Sequence, residues 1–444
     1  MKKLIFNNNF FYKSLDNIIS QRSDNYESKI ANKVKKIIKN VKKNGDKALI
    51  DYTKKFDRIN LTAKKLRLPK TIKKNNIDQK IFSNFKQAIV NIKKFHKLQF
   101  PKNYLLSDKG TTIKSVWTPL DSVGVYVPGG QAFYPSSLIM NVIPAKVAGV
   151  KRIVCVTPPS KNLNPYISAL IKELGVDECY QIGGAQAIAA LAYGTKTIKP
   201  VNKIFGPGNN YVALAKKQVF GKVGIDLIAG PSEIIVVADK KNNPNWVASD
   251  LLAQAEHDVN SQSILITDSN TFGNEVINKI HKLKLSLNKK NIINKSISSN
   301  GILIIVNNIL QASEIINYLA PEHLHLHTEQ KNKLVKYIKN AGCIFMGEYA
   351  SEAFGDYIIG TNHVLPTFGS AKFASGLGVL DFMKRNSIAK INKSGYLKYR
   401  NQVMQMAEIE GLDAHKLSVK IRQNKQKWIY KKYNKGESCQ KKVH

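Results

Sequence analysis

Acidic residues are scarce in this chain of 444 residues: 31 Asp and Glu stand against 69 Lys and Arg, a formal net charge of +38. Such an imbalance first suggests a polyanion as partner. The basic residues, however, are not gathered into one arm. They recur as short groups such as Lys35-Lys36, Lys64-Lys65, Lys93-Lys94 and Lys431-Lys432, among abundant Asn and Ile. All three residue types have AT-rich codons, so compositional drift over solvated faces accounts for the charge. No common nucleic-acid recognition module is visible, and nucleic-acid binding is not expected to be the main function.

Cysteine is also rare. The four residues Cys155, Cys179, Cys343 and Cys439 contain no CxxC. That excludes a disulfide framework and fits reduced thiols in a cytoplasmic protein. Cys155 and Cys343 sit in apolar segments and read as inert strand residues, against a covalent cysteine mechanism. Long apolar runs are missing. After Met1-Lys2-Lys3, the run Leu4-Ile5-Phe6 stops at three asparagines, short of the roughly 7–15 residues of a secretory signal. No stretch approaches the roughly 18 apolar residues of a transmembrane helix. What remains, 43% hydrophobic and 23% charged residues, is a globular chain long enough for two or three domains with large cores.

Residues 1 to about 100 read as a short arm followed by helices. Ile30, Val34, Ile37 and Val41 mark one helical face. From Thr118 the texture becomes α/β. Val123–Val127, Arg152–Thr157, 179–182 and Lys203-Ile204-Phe205 read as strands between helices, and Ile234–Val237 closes the series. After residue 240 a second α/β texture begins, with a helix at 244–257 and strands at Ser263–Thr267, Gly301–Val306 and Gly342–Met346. A glycine-rich loop is expected at 355–378, and a polar, helical chain from 386. Strands alternating with helices imply βαβ units and mainly parallel sheets. No G-x-G-x-x-G follows the first strand, so the fold is an incomplete relative of the usual dinucleotide-binding kind.

Four segments carry side chains that a stable core does not require. Gln254-Ala255-Glu256-His257 closes the helix opened by Asn243-Pro244, and the inward face of that helix becomes polar at its end. It reads either as a hydrogen-bonded helix end or as a pair of ligands. Ala320-Pro321-Glu322-His323 puts a carboxylate beside an imidazole, which can supply acid/base chemistry near neutral pH. Gly355-Asp356 through His363–Pro366 is a loop with two titratable groups. Glu408–His415 lies near the C-terminus. His323, His325 and His327 alternate, which in a strand puts three imidazoles on one face.

Together these segments resemble histidinol dehydrogenase. The matching runs are Val125–Gly130, Gly206-Pro207-Gly208-Asn209, Asp226–Glu233, Ala248–His257, Ala320–His323, Gly360–Pro366 and Glu410-Gly411 through His415. They are collinear from about residue 20 to 420. The resemblance implies a zinc-dependent homodimer of two α/β domains that oxidises L-histidinol to L-histidine through bound L-histidinaldehyde. Two NAD⁺ are used, in the last step of histidine biosynthesis. It implies Gln254, His257, Asp356 and His415 as ligands of one zinc per subunit, and Glu322 and His323 as the acid/base pair. Ser232, Glu410 and His415 contact substrate, with Gln254, His257, His323 and Asp356. Tyr126, Gln186 and Asn209 match the NAD contacts. Since the family pattern fixes only His323, His325 and His327 are taken as incidental. The domain expectation is an arm at 1–21, a discontinuous α/β domain at 22–125 with 234–378, and a second α/β domain at 126–233. A dimerisation and active-site tail is expected at 379–430, and a disordered end at 431–444.

Overall fold

The computed structural model describes residues 1–6, 10–20, 27–69, 77–129, 134–160, 164–228 and 230–424. The expected end at 431–444 lies outside them. The described chain forms two compact units, Met1–Phe100 with Pro119–Lys384, and Pro101–Thr118 with the chain from Arg385.

The strands, in chain order, are β1 (Lys2–Ile5), β2 (Tyr104–Asp108), β3 (Thr111–Pro119), β4 (Ser122–Tyr126), β5 (Arg152–Thr157), β6 (Glu178–Gln181) and β7 (Lys203–Phe205). Then come β8 (Gly224–Ile225), β9 (Glu233–Val237), β10 (Gln262–Thr267), β11 (Ile302–Ile305), β12 (His323–Leu326), β13 (Cys343–Met346) and β14 (Met383–Ile391). The helices that matter below are α1 (Glu27–Asn44), α2 (Gly184–Tyr193), α3 (Asn210–Val219), α4 (Pro244–Ala255), α5 (Glu352–Tyr357), α6 (Lys393–Ile409) and α7 (Asp413–Lys420).

The first unit holds two parallel sheets. One has the order β6-β5-β4-β7-β8 and the other β1-β11-β10-β9-β12-β13. Adjacent strands in both are parallel. Numbered within its own sheet, each follows the 3-2-1-4-5 order of a dinucleotide-binding fold, with β1 added at the edge of the larger one. The reason is local. Ile-Val-Cys-Val in β5, Ile-Ile-Val-Val in β9 and Ile-Leu-Ile-Ile in β11 are continuous β-branched or apolar runs, as strands covered on both faces require. The smaller sheet packs Val154, Val156 and Ile204 against Ile188, Ala215 and α1 residues Val34 and Val41. The larger packs Ile234, Val236 and Leu265 against Val247, Leu251 and Ala255 of α4.

The short arm at the start holds an edge strand, Lys2–Ile5, paired with Ile302–Ile305. Two local expectations are corrected. Residues 355–357 belong to α5 and not to a loop. Residues 386–391, expected to be helical, continue β14. In the second unit β14, β3 and β2 form a three-stranded sheet beside α6 and α7.

Candidate active site

The strand order of the smaller sheet reverses between β5 and β7, on either side of β4. In open α/β sheets, ligands bind beyond the carboxyl ends of the strands at such a switch point. Tyr126 ends β4, and Gly206-Pro207-Gly208-Asn209 follows β7. Tyr126, Gly208 and Asn209 line a cavity of about 660 Å³. The Tyr126 hydroxyl accepts the Gly184 N–H at 3.1 Å, at the start of α2. Burial pushes that phenol up to about 12. Gln186, two residues into the same helix, is buried but does not line the cavity. Asn209 caps α3, its side chain accepting from the Tyr211 and Val212 N–H groups.

The Gly206 turn is held from beneath. Its φ of 104° lies in the left-handed region, and a β-carbon there would overlap the Tyr126 carbonyl oxygen. Asp226 accepts the Gly206 N–H at 2.7 Å, while Lys216 Nζ donates to the Gly206 carbonyl at 3.0 Å. Lys216 and Asp226 form an ion pair with both side chains almost fully buried. Removing one partner of such a pair leaves an uncompensated charge, worth about 3–5 kcal/mol. Lys216→Met should therefore lower the unfolding free energy by about that amount, read as a fall in the denaturation midpoint. Lys216→Met with Asp226→Leu should recover part of the loss, as a double-mutant cycle in denaturant would measure.

The opposite wall of the cavity comes from the amino ends of β9 and β12 in the larger sheet. Ser232 precedes β9, and Glu322 precedes His323, the first residue of β12. Ser232, Glu322 and His323 all line the cavity. Glu322 Oε2 accepts the Glu233 N–H at 2.9 Å and lies 3.8 Å from His323 Nδ1. Burial raises its carboxyl well above the usual range. His323 Nδ1 is 3.2 Å from the Glu233 carbonyl, which can only accept, so Nδ1 carries the proton. Nε2 is then the lone-pair nitrogen, 4.0 Å from Asp356 Oδ1. Burial pulls the ring down to about 3, so it is neutral across the physiological range.

Pro244 at the first helical position and the Asn243 side chain on the Asn245 N–H start α4. Gln254 is fully buried at its other end, and exposed His257 reaches the cavity just beyond. His257, Glu352 and Asp356 each offer a ligand atom, all within 4.8 Å of one another. Burial brings Asp356 up to about 7. It also raises the Glu352 carboxyl, helped by Asp356 and Glu322. Three carboxyls crowded into one cavity beside His257 suit a divalent cation, which would relieve their mutual repulsion. An imidazole with carboxylates is a donor set that zinc accepts. His363 adds a third imidazole to the cavity, with Nδ1 3.1 Å from the Asp356 carbonyl and Nε2 3.4 Å from Ser137 Oγ.

Glu352 was missed in the sequence, although it precedes Asp356 by four residues, the spacing of one helical face. Glu410 and His415 lie in the second unit, exposed at the end of α6 and within α7. His325 and His327 follow His323 along one face of β12 and meet Asp250 of α4.

An incomplete dinucleotide fold opening on a proton-handling, cation-competent cavity is the arrangement of an α/β dehydrogenase. Similarity to known proteins makes the class particular. The model of the family described as histidinol dehydrogenase matches residues 20–423. Histidinol dehydrogenase of Listeria innocua is 48% identical over 413 residues, 92% of this chain and 96% of that protein. Histidinol dehydrogenase of Aquifex aeolicus is 44% identical over 91% of this chain and 95% of its own. The crystal structure of histidinol dehydrogenase from Elizabethkingia anophelis superimposes with a TM-score of 0.89 at 35% identity, covering 96% of this chain and 99% of that one. The chain belongs to the histidinol dehydrogenase family, NAD-dependent oxidoreductases of histidine biosynthesis.

Proposed function

We propose that the chain catalyses the four-electron oxidation of L-histidinol to L-histidine through bound L-histidinaldehyde, with one zinc per subunit and two NAD⁺. The observation that carries this reading is the single cavity in which the His323 lone pair, the raised Glu322 carboxyl and the His257–Asp356 cluster face residues at the switch point. Gln254, His257 and Asp356, with His415, are the proposed zinc ligands. They also contact substrate, together with Ser232, His323 and Glu410. Tyr126, Gln186 and Asn209 are the proposed NAD contacts.

When bound, zinc supplies a positive charge that orients an amino alcohol and polarises its oxygen, and NAD⁺ supplies the hydride acceptor. The chain's own residues move the protons. His323 takes the hydroxyl proton at Nε2, with Nδ1–H anchored on the Glu233 carbonyl. Glu322, whose carboxyl lies 3.8 Å from His323 Nδ1, accepts a proton from the water that attacks the aldehyde.

NADH formed per histidine is the direct measure: two is expected, and one would overturn the four-electron reading. Chelation should abolish turnover and zinc should restore it. His257→Asn should weaken zinc binding beyond the roughly 10–100-fold typical of losing a supporting residue, as metal titration of the apoprotein would measure. Cytoplasmic placement is supported by the biosynthetic family and by the free thiols of Cys155, Cys179 and Cys343. Among the described residues no helix is long and apolar enough to cross a membrane.

The proposed protein is a homodimer whose sites are shared between subunits. Support comes from the second unit taken by itself. Its β2 is exposed at every position, including Tyr104, Leu105 and Leu106. Leu397, Met406 and Ile409 of α6 and Leu417 of α7 are also exposed. Exposed apolar surface of this extent marks an interaction face.

A further inference from the structure

We propose that Asp250, His325 and His327 form a second divalent-cation site, a brace of one carboxylate and two imidazoles joining α4 to β12. It is independent of the catalytic-zinc reading. Asp250 lies one helical turn before Gln254 on α4, and His325 lies two residues after His323 on the same face of β12. The brace therefore ties together the two elements that carry the cavity's helix-borne donors and its imidazole base.

The three side chains are buried: His325 is 0% exposed, His327 3% and Asp250 6%. A donor atom from each lies within 4.8 Å of the others. Asp250 Oδ2 is 3.0 Å from His325 Nδ1 and is hydrogen-bonded to His327 Nε2 at 2.8 Å.

The protonation of His325 decides what those short separations mean. Its Nε2 is 2.9 Å from the Gly347 carbonyl oxygen. A carbonyl only accepts, so Nε2 carries a proton. In the neutral ring Nδ1 is then a lone pair, and it meets a carboxylate oxygen at 3.0 Å. This nitrogen is buried and has no hydrogen bond of acceptable alignment. Two lone-pair atoms so close, buried and out of line for a shared proton, are placed as two ligands of one ion are placed. A ligating imidazole whose other N–H is held by a backbone carbonyl is the usual supporting arrangement of metal histidines.

The surrounding charge agrees. The other charged groups acting on the cluster, Glu348 on His327 and Glu352 on Asp250, are acidic. Two imidazoles with one carboxylate suit Zn²⁺, Fe²⁺ or Co²⁺ better than Mg²⁺ or Ca²⁺.

The test counts metal on the full-length protein, stripped and then titrated with Zn²⁺. Wild type should take up two equivalents per chain. His257→Asn should lose one and keep one, His325→Gln should lose the other, and the double variant should hold none. A single wild-type equivalent that survives His325→Gln but not His257→Asn overturns the second site. A single equivalent with the opposite behaviour upholds it and removes the catalytic-zinc reading instead. Should His325→Gln fail to fold, imidazole ¹⁵N spectra of zinc-saturated wild type decide. A metal-bound His325 Nδ1 upholds the brace. A doubly protonated His325 ring overturns it and leaves an ordinary buried ion pair with Asp250.

Discussion

Replacing His323 with alanine is expected to lower kcat by about 10²–10⁴, the range of a general acid–base group, while KM for histidinol moves only a few-fold. The imidazole offers its lone pair into the cavity and its N–H to the Glu233 carbonyl. Its loss removes proton transfer more than it removes binding surface. Glu322→Gln separates the second function. The amide oxygen can still accept the Glu233 N–H now bound by Glu322 Oε2, so the strand end keeps its support while the base is gone. That variant should be slowed chiefly when histidinaldehyde is supplied directly, because hydration of the aldehyde needs the carboxylate. Single-turnover measurements with each substrate distinguish the two effects. Near-normal turnover in both variants would remove the pair from the mechanism.

The parallel sheets were legible because their strands are buried on both faces, which forces uninterrupted apolar runs such as Ile234–Val237 and Ile302–Ile305. The small sheet of the second unit was not. Met383–Ile391 reads Met-Lys-Arg-Asn-Ser-Ile-Ala-Lys-Ile and is exposed beyond its first residue, so no buried face imposes a two-residue period. Within the site, Glu322 and His323 stood out as adjacent titratable groups. Glu352 did not, because the six residues of α5 are too few to announce a helix and the segment looked like loop. The alternating histidines were visible. Their carboxylate partner was not, since Asp250 reaches them from a helix more than seventy residues earlier, and only packing of α4 on β12 brings them together. The proposed nucleotide side shows the converse. Without G-x-G-x-x-G, its position follows from strand order, which places Tyr126 and Asn209 at the reversal.

Mixing two inactive variants should restore activity if the sites are shared between subunits. Glu410 and His415 belong to a unit whose helices and sheet expose Leu105, Leu397, Met406 and Leu417 to solvent in the single chain. A unit with so little core needs another surface to bury its apolar side. A His323→Ala chain lacks the base, and a His415→Ala chain lacks a proposed zinc ligand, so each homodimer should be close to inactive. In a mixed dimer with sites completed in trans, one site carries both lesions and the other carries neither. The intact site should give each mixed dimer about half the activity of wild type. Random exchange of equal amounts makes half of the dimers mixed, so recovery of about a quarter of wild-type activity is expected. Truncation before Glu410 should eliminate turnover and leave the parallel-sheet unit folded, as circular dichroism would report. Loss of 431–444 alone should change activity little. If subunit exchange is demonstrated and no activity returns, His415 serves its own chain and the shared-site reading fails.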